Sequence, residues 1–420
     1  MYEFPTRQIE PPRRLPISER RRPRRRVSPG RIVILSAVFS LFIALVSLVM
    51  GVVGQPGNVP MSINAVEWLR DNGARGIVNS IENFYYTLEA PSTGGPALHK
   101  LPTQPGQAVA NINGKGRSTT KAIAPYYEPP NIKPLISPAL PGEGVWRSTF
   151  SEVGLKHPPV LITTFRSDPL YPQMVAGVAW IDHNVTTTWL YPGIQEPSVA
   201  LPNRGPEMIP VNMRSHVVAA FNSGFKLVDS GGGVALNGHT YAPMKDGLGT
   251  FVRFTNGSVN VIGWHGGQSV GKGIVYARQN LPLIVINRKP NPNLSDGPQW
   301  GATLGNAVRV WRSAVGVDKY GNLIYAAADY QTVGSLAEIM IHAGAVRAMQ
   351  LDINAEWPSF ITYKGPFALD PANLLPGMWN APTRYLTPDD RDFFAVYLKS
   401  NDLSTTASTT ASGKRTSKRG

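Results

Sequence analysis

One uncharged run near the start of the chain constrains its fold more than any other feature. Residues 32–53 contain no charged side chain over 22 positions, which is long enough to cross a bilayer as one helix. Nine arginines lie between Arg13 and Arg31, directly before this run. The positive-inside rule places such a cluster on the cytoplasmic side. The sequence therefore predicts a single-pass plasma-membrane protein with a cytoplasmic N-terminus and an extracellular main domain.

A cleavable signal peptide is the alternative interpretation of the same run. The region before it is unusually long, and residues 51–57 contain no A-x-A cleavage site, so a retained anchor is favoured. The arginines could also contact anionic lipid headgroups. They have no interleaved aromatic residues and no recognisable module beside them, so a nucleic-acid partner is not expected.

Composition excludes several classes of chemistry for the remainder of the chain. The net charge of +14 is concentrated at the two ends, and the 41 glycines and 38 prolines favour a body rich in strands and loops. Because the chain has no cysteine, a disulfide framework, a thiol nucleophile and a cysteine metal site are all impossible. The histidines include no pair at i, i+4, which excludes a zinc metalloprotease motif.

Changes in composition divide the chain into six segments. These are a cytoplasmic Arg-rich tail (1–31), a transmembrane helix (32–54), a short helical segment (55–90), a Pro/Gly-rich linker (91–144), a main domain (145–399) and a disordered Ser/Thr/basic tail (400–420).

The short helical segment carries an apolar stripe whose partner the sequence leaves open. Ser62 is predicted to cap its first helix and Gly73 to interrupt it. The stripe is formed by Ile77, Ile81, Phe84 and Tyr85. Either the main domain or the outer membrane surface could cover it.

The main domain is predicted to be α+β, with a mixed, mainly antiparallel sheet and few helices. Ten short apolar or alternating runs bounded by turn residues predict strands. They are 160–165, 174–181, 187–191, 217–221, 249–254, 259–263, 273–277, 283–287, 307–317 and 323–327. The best helix is 335–343, with a capping box that begins at Ser335 and a C-terminal cap at Gly344.

A strand predicted at 345–351 ends in three polar side chains, Asp352, Asn354 and Glu356. Polar groups at the end of a buried strand are typical of a functional site, although Asp352 could equally cap an ordinary turn. Oxygen ligands at these positions could also gather a divalent cation, so metal dependence stays open.

Two other stretches could contribute chemistry. Around Asn222 and Gly224, glycines including 231–233 could leave backbone amides free to bind an anion, but such a run also suits any tight loop. Arg312 lies in an apolar strand pattern. An arginine there is usually exposed or paired with a carboxylate; in a cleft its guanidinium would suit a phosphate.

The order of four motifs resembles the phosphodiester glycosidase family. The motifs are FNSGF at 221–225, RQNLPLIV at 278–285, RSAVGVDKYGNLI at 312–324 and LDINAEWPSF at 351–360. The resemblance extends over most of 60–395 and is closest to membrane-anchored actinobacterial members. Where the family usually has NGGFF and LDGGGS, this chain has NSGFK and LDINAE.

The resemblance implies a hydrolase that cleaves a sugar-1-phosphodiester in an envelope glycan or glycolipid. It implies Asp352 as nucleophile or base, Glu356 as the alternate carboxylate, and Arg312 as the residue that holds the phosphate. The implied substrate-binding residues are Asn222, Gly224, Lys226, Asn354 and Trp357. No obligatory cofactor is expected.

Two other classes remain open from the sequence. A non-catalytic protein that binds envelope glycans would keep the cleft and its Trp311 or Trp357 platform. A membrane-tethered scaffold would have no converging polar cleft.

Overall fold

The computed structural model describes residues 29–53, 60–102, 127–149, 157–301 and 308–399. The Arg-rich tail before Pro29, the linker residues 103–126 and the Ser/Thr/basic tail 400–420 lie outside the described residues. The chain divides into two units, residues 1–51 and 52–420.

The described part of the first unit is a single helix. Its window Val33–Gly51 has a mean hydropathy of 2.8, and none of it is buried within the protein. Length and composition allow this helix to cross a membrane.

The helices and strands of the described residues follow in chain order. The α-helices are α1 (Pro29–Val53), α2 (Met61–Leu69), α3 (Arg75–Glu89), α4 (Leu227–Ser230) and α5 (Val333–His342), with a π-helical turn at Arg70–Ala74. The 3-10 turns include Val211–Met213, Pro298–Trp300, Pro366–Ala368 and Arg384–Leu386. The strands are β1 (Arg147–Ser148), β2 (Val160–Arg166), β3 (Val175–Ile181), β4 (Thr186–Tyr191), β5 (Val217–Asn222), β6 (Val234–Leu236), β7 (His239–Ala242), β8 (Gly249–Phe254), β9 (Val259–Gly263), β10 (Ile274–Gln279), β11 (Leu283–Ile286), β12 (Lys289–Pro290), β13 (Val310–Val317), β14 (Leu323–Gln331), β15 (Arg347–Gln350), β16 (Phe360–Thr362), β17 (Ala372–Asn373) and β18 (Phe393–Leu398).

The described residues of the second unit contain three antiparallel sheets, and these confirm the predicted α+β class. The largest sheet has the order β1-β2-β3-β14-β13-β15-β11-β12. The other two have the orders β7-β6-β10-β8-β9 and β17-β16-β5-β18-β4. All eleven predicted strands, including the one at 345–351, correspond to strands of the structure, with ends shifted by a few residues. Residue 307, at the start of one predicted strand, lies outside the described residues. Short strands such as β6, β16 and β17 were not predicted, because runs of two or three residues carry little periodic signal.

One aromatic cluster joins the three sheets. Phe221 of β5 stacks on Phe360 and Phe394, and it also contacts Phe251 of β8 and Tyr325 of β14. All five side chains are fully buried. Burial of such large rings supplies a major share of core stability, and it fixes the sheets against one another.

Helix α5 covers the other face of the largest sheet, and its N-terminus differs from the prediction. The cap is Thr332, whose hydroxyl accepts the N–H of Ser335 while the Ser335 hydroxyl accepts the N–H of Thr332. The predicted cap at Ser335 was wrong because Thr332 offers the same reciprocal pair three residues earlier. Gly344 has φ +95°, which confirms the predicted C-terminal cap.

Within the second unit, the segment α2 to α3 packs against the main domain. Helix α2 begins at Met61 after Pro60, so the predicted cap at Ser62 was wrong; proline suits this boundary because it lacks an N–H. Gly73 has φ +88° and interrupts the helical path as predicted. Ile63 is buried against Trp357 of the main domain.

Part of the segment predicted as a linker also lies against the largest sheet. Ile132 of this segment is buried in the cluster that includes Leu161 of β2, together with Trp146 at the start of the predicted main domain. Glu143 forms a buried ion pair with Arg166, 2.7 Å between Oε2 and Nη2. These contacts tie residues 127–149 to the sheet.

Candidate active site

A cleft of about 260 Å³ lies between the α2–α3 segment and the ends of several main-domain strands. Its charged lining residues are Glu67, Arg70, Asp71, Arg75, Lys226, Asp229, Asp352 and Arg391. Cations and carboxylates are therefore balanced in number within it. Asn79, Asn354 and Trp357 add polar and aromatic lining.

Backbone pairing at the strand ends holds Asp352 at the floor of this cleft. Its carbonyl accepts both the backbone N–H and the hydroxyl of Ser313 in β13, at 3.2 and 2.8 Å. Its own N–H donates to the carbonyl of Ser223, just after β5, at 3.3 Å. Two sheets thus meet at Asp352, because β13 belongs to the largest sheet and β5 to another.

The Asp352 carboxylate is buried and fully hydrogen-bonded. Oδ1 accepts the N–H groups of Ile353 and Asn354 at 2.8 and 3.1 Å, and Oδ2 accepts Nη2 of Arg391 at 2.7 Å. Burial raises the pKa of Asp352, and the Arg391 charge acts in the opposite direction. The carboxylate is therefore positioned but harder to ionise than an exposed aspartate.

Arg391 joins Asp352 to the rest of the cleft. Its guanidinium lies 4.7 Å from the ring centroid of Trp357 and donates from Nη2 to the Gly224 carbonyl at 3.4 Å. Its Nε is buried without a hydrogen-bond partner. A buried donor without a partner is costly, and an anionic ligand oxygen in the cleft would satisfy it.

Glu67 of α2 links the two cations on the other side of the cleft. Its carboxylate lies 2.6 Å from Nη1 of Arg70 and 2.6 Å from Nζ of Lys226. Burial acts to raise the pKa of Glu67, but Lys226, Arg70 and Arg391 outweigh it, so that the pKa is lowered. Glu67 thus places a stable negative charge beside both Arg70 and Lys226.

Four of the predicted site residues meet at the cleft: Asp352, Lys226, Asn354 and Trp357. Asn354 accepts the Glu356 N–H with its side-chain oxygen, at 3.5 Å. The Trp357 ring also lies 5.1 Å from the Arg384 guanidinium, and its indole N–H is buried without a partner.

Glu356 lies next to the cleft rather than in its lining. Its Oε2 is 3.9 Å from Nη1 of Arg70, and its carbonyl accepts a hydrogen bond from the Asn380 side chain. The structure therefore places the two predicted carboxylates differently, with Asp352 on the cleft and Glu356 behind the turn.

Three predicted residues lie behind the cleft instead of lining it. Arg312 is buried and donates to the Gln331 carbonyl and the Gln350 side chain, each at 2.8 Å. Burial lowers the pKa of Arg312 to about 10. Asn222 accepts the Tyr325 hydroxyl at 2.9 Å, and Gly224 approaches Asn280 closely enough that a Cβ would lie 3.0 Å from it. These residues support the site, and the guanidinium that reaches the Asp352 carboxylate is that of Arg391.

The backbone N–H groups of the glycine run at 231–233 donate hydrogen bonds within the protein. The Gly233 N–H donates to Oε1 of Gln279 at 2.9 Å, and the Gly232 N–H donates to the Ser230 hydroxyl at 3.3 Å. The run therefore forms a tight loop against β10, which is the simpler of the two interpretations from the sequence.

Sequence reasoning missed Arg391, Glu67 and Arg70. One signal was available for Arg391, because residues 389–392 read DDRD directly before the apolar strand β18. Charged residues at the start of a buried strand must be paired, and all four side chains are buried. No local pattern marks Glu67 and Arg70, which reach the cleft only through the packing of α2.

Among the residues that the structure describes, no group of three or more His, Asp or Glu side chains could hold a metal ion. Asp352 directs its carboxylate to Arg391 and to two backbone amides, and Glu356 lies beside Arg70. The three oxygen ligands considered from the sequence therefore do not converge.

Asp390 offers a test of the buried charges beside the site. Burial and the neighbouring Asp389 raise the pKa of Asp390 to about 6, and its Oδ1 has no partner. Because the folded state holds this proton more tightly, the contribution of Asp390 to stability falls as pH rises from about 4 to about 6. We expect Asp390→Asn to stabilise the protein by about 1 kcal/mol at pH 7.5, allowing for solvent screening, and to have little effect at pH 4. Urea denaturation at both pH values measures this.

The matched variant for this test is Asp389→Asn. Asp389 accepts Nε and Nη2 of Arg384 at 2.6 and 3.0 Å, so its loss should destabilise the protein at pH 7.5. Equal effects of the two variants would contradict the assignment of Asp390 as the carboxylate whose ionised form destabilises the folded protein.

The fold and the cleft define an antiparallel α+β protein with a charged ligand-binding cleft. An antiparallel α+β domain presents one buried carboxylate, one guanidinium with an unpaired donor, and further cations across a cleft of small-ligand size. Such a site suits a substrate that combines hydroxyls with an anionic ester.

Residues 215–352 match the family model described as phosphodiester glycosidase, which confirms the resemblance predicted from the motifs. The matched region is shorter than residues 60–395, over which the motifs indicate the resemblance, and it ends at Asp352. It supports a hydrolase acting on a phosphodiester glycosidic linkage. No curated protein matches the chain.

Two solved structures are similar to part of the chain. One is the catalytic domain of zebrafish N-acetylglucosamine-1-phosphodiester α-N-acetylglucosaminidase, auto-inhibited by its pro-peptide; it has 13% identity and a TM-score of 0.36, over 61% of this chain and 88% of that one. The other is a hypothetical protein from Synechocystis, with 13% identity and a TM-score of 0.36, over 57% of this chain and 62% of that one.

Proposed function

We propose that this protein is a membrane-anchored hydrolase that cleaves a sugar-1-phosphodiester in a glycan or glycolipid of the cell envelope. Helix α1 is the anchor, residues before it are cytoplasmic, and the second unit lies outside the cell. The observation that carries the catalytic part is the buried Asp352–Arg391 pair on the floor of the cleft, with Lys226 across it.

Asp352 is the proposed nucleophile or general base. Hydrolysis at the sugar C1 passes through an oxocarbenium-like transition state, which a nearby carboxylate stabilises, traps covalently or serves by activating water. Arg391 holds the carboxylate in place through Oδ2, and the two amides on Oδ1 fix its plane. This arrangement orients the carboxylate towards a developing positive charge in the cleft.

The leaving group is a phosphate monoester, so cations that hold its charge matter more than a strong acid. Lys226 and Arg70 are the proposed phosphate ligands, together with the unpaired Nε of Arg391. In the present structure Glu67 neutralises the first two. Substrate phosphate would therefore compete with the Glu67 carboxylate.

The test is hydrolysis of a panel of sugar-1-phosphodiesters by the full chain reconstituted in nanodiscs, in water enriched in ¹⁸O and with and without a chelator. Cleavage of the C1–O bond places ¹⁸O in the released sugar, whereas cleavage of the P–O bond places it in the phosphate. We expect label in the sugar. Label in the phosphate would contradict a glycosidase and indicate a phosphodiesterase.

The glycan-binding alternative gives a different result in the same assay. If no member of the panel turns over while envelope glycans still bind the reconstituted chain, the hydrolase proposal fails. Binding that persists in Asp352→Asn would then support a non-catalytic glycan-binding protein.

Glu67 provides a prediction for substrate affinity. We expect Glu67→Gln to lower the KM for an anionic phosphodiester by about five- to tenfold, because Lys226 and Arg70 lose the carboxylate that lies 2.6 Å from each of them. Asp71→Asn is the matched control, since Asp71 is more exposed and lies 3.8 Å from the Lys226 nitrogen. Steady-state kinetics on both variants measure this effect on KM. A KM that rises in Glu67→Gln would show that Glu67 stabilises the structure of the cleft and does not compete with substrate phosphate for Lys226 and Arg70.

A further inference from the structure

Helix α3 exposes a continuous apolar stripe. Ile77, Ile81, Phe84 and Leu88 are 67%, 65%, 69% and 69% exposed. Their spacing of i, i+4, i+7 and i+11 places them on one side of the helix. Four large apolar side chains in one exposed row are unusual on a soluble protein surface and mark a contact with an apolar partner.

The opposite side of α3 is held by the protein. Val78 is 6% exposed, and Arg75 and Asn79 line the cleft. The helix is therefore not a loose segment whose apolar side could turn inward. Its stripe points away from the domain while its other side contributes a wall of the candidate active site.

Chain length indicates which apolar partner is within reach. Seven residues, 54–60, connect Val53 at the end of α1 to Met61 at the start of α2. Seven residues span at most about 25 Å, and α2 runs through the π-helical turn directly into α3. If α1 spans a bilayer, the surface of that bilayer is the apolar phase within reach of the stripe.

We propose that the stripe on α3 inserts into the outer leaflet of the membrane in which α1 is anchored, so that α3 lies in the plane of the interface. Amphipathic helices of this kind bury their apolar side about 5–10 Å into the headgroup and acyl boundary. This inference rests on the proposed anchoring by α1 and is independent of the proposed hydrolysis. Because Arg75 and Asn79 belong to the same helix, insertion holds the cleft beside the lipid surface.

The absence of cysteine makes a direct test possible. Phe84→Cys introduces a single thiol into the full chain, which can carry a polarity-sensitive fluorophore in reconstituted phosphatidylcholine vesicles. Thr255→Cys is the matched control, because Thr255 is exposed after β8, away from the stripe in sequence. The fluorescence of each label is measured with doxyl-labelled lipid as the quencher and then with aqueous iodide as the quencher.

Insertion predicts that the labels at residues 84 and 255 respond differently to the two quenchers. The label at residue 84 should be quenched by doxyl lipid, with an iodide quenching constant at least about threefold lower than that of the label at residue 255. Adding Ile81→Asp to Phe84→Cys should restore iodide quenching, and it changes only an exposed side chain. A label at residue 84 that iodide quenches as strongly as the control would overturn the inference.

Two further outcomes separate this inference from its rivals. A label at residue 84 shielded from both quenchers would overturn lipid insertion and show that protein, such as a second copy of the chain, covers the stripe. Carbonate extraction of the same vesicles tests the anchor alone. Release of the chain by carbonate would overturn the anchoring and this inference with it, whereas a retained chain with an iodide-accessible stripe overturns only the inference.

Discussion

Replacing Asp352 with asparagine is expected to lower kcat for sugar-1-phosphodiester hydrolysis by about 10³-fold or more. Asparagine preserves the shape of the side chain and can still accept hydrogen bonds from Ile353 and Asn354. It lacks the negative charge that would stabilise or trap the oxocarbenium-like transition state. The measurement is single-turnover kinetics on the substrate identified from the panel.

The matched control is Asp370→Asn, which makes the same chemical change at an exposed residue with φ +46° that asparagine tolerates well. Its kcat should stay within about twofold of the wild type, in keeping with the small effects of surface substitutions. A thermal melt of Asp352→Asn must accompany the kinetics, because loss of the charge leaves Arg391 without its closest partner. A folded Asp352→Asn protein with kcat within tenfold of the wild type would remove Asp352 from the proposed mechanism.

The pH dependence follows from the same carboxylate. Burial raises the pKa of Asp352 above its usual value of 3.8, and the proposed role requires the ionised form. The acidic limb of kcat/KM should therefore lie above pH 3.8, with activity lost as pH falls through it. In Asp352→Glu that limb should shift while partial activity remains, which a merely structural Asp352 would not produce.

Breaking the Arg278–Asp392 pair should have the largest effect on stability. Both side chains are almost fully buried, with 2.7 Å between Nε and Oδ2. Arg278 also donates to the carbonyls of Gln279 and Phe225, each at 2.7 Å. The pair connects β10 to the start of β18, and these strands belong to different sheets.

We expect Asp392→Asn to destabilise the protein by about 3–5 kcal/mol, because the Arg278 charge remains buried without its carboxylate. For a unit of this size the corresponding fall in Tm is roughly 4–8 °C. Differential scanning calorimetry measures both quantities. The Phe225 carbonyl would lose some of its support as well, which links the stability of the sheets to the wall of the cleft.

Asp168→Asn is the control for this prediction. Asp168 pairs with Arg309 at 3.3 Å, but the two side chains are 15% and 23% exposed, and solvent screens the pair. We expect a change of less than about 1 kcal/mol. Equal losses in the free energy of unfolding for Asp168→Asn and Asp392→Asn would show that burial of the Arg278–Asp392 pair does not determine its contribution to stability.

Several elements of the fold follow from local physical chemistry. The strands around Val160, Val217 and Val310 were predicted because alternating or continuous apolar runs bounded by turn residues have few other stable conformations. Gly344 was predicted as a helix terminus because a left-handed backbone favours glycine. The N-terminal cap of α5 was predicted three residues too late because Thr332 and Ser335 are both good caps, and the choice depends on the chain that precedes them.

Local sequence patterns predict only part of the candidate active site. Asp352 was predicted because it follows a strand, and the structure places it on the cleft. Arg312 has the sequence pattern of an arginine on a strand, yet the sheet turns its guanidinium towards Gln331 and Gln350. Arg391 lies 39 residues from Asp352 and reaches it only because β5, β16 and β18 pair in one sheet.

The sequence by itself therefore determined the apolar helix, the antiparallel α+β class, the family resemblance and the strand end at which Asp352 lies. These features depend on composition, periodicity and residue order within short windows, which any chain carries in its primary structure. Only the tertiary structure decided that Arg391 is the partner of Asp352, that Glu67 and Arg70 enter the cleft, and that the stripe on α3 is exposed. Each of these depends on contacts between distant segments, and the burial and pairing of charges are settled only when those segments pack together.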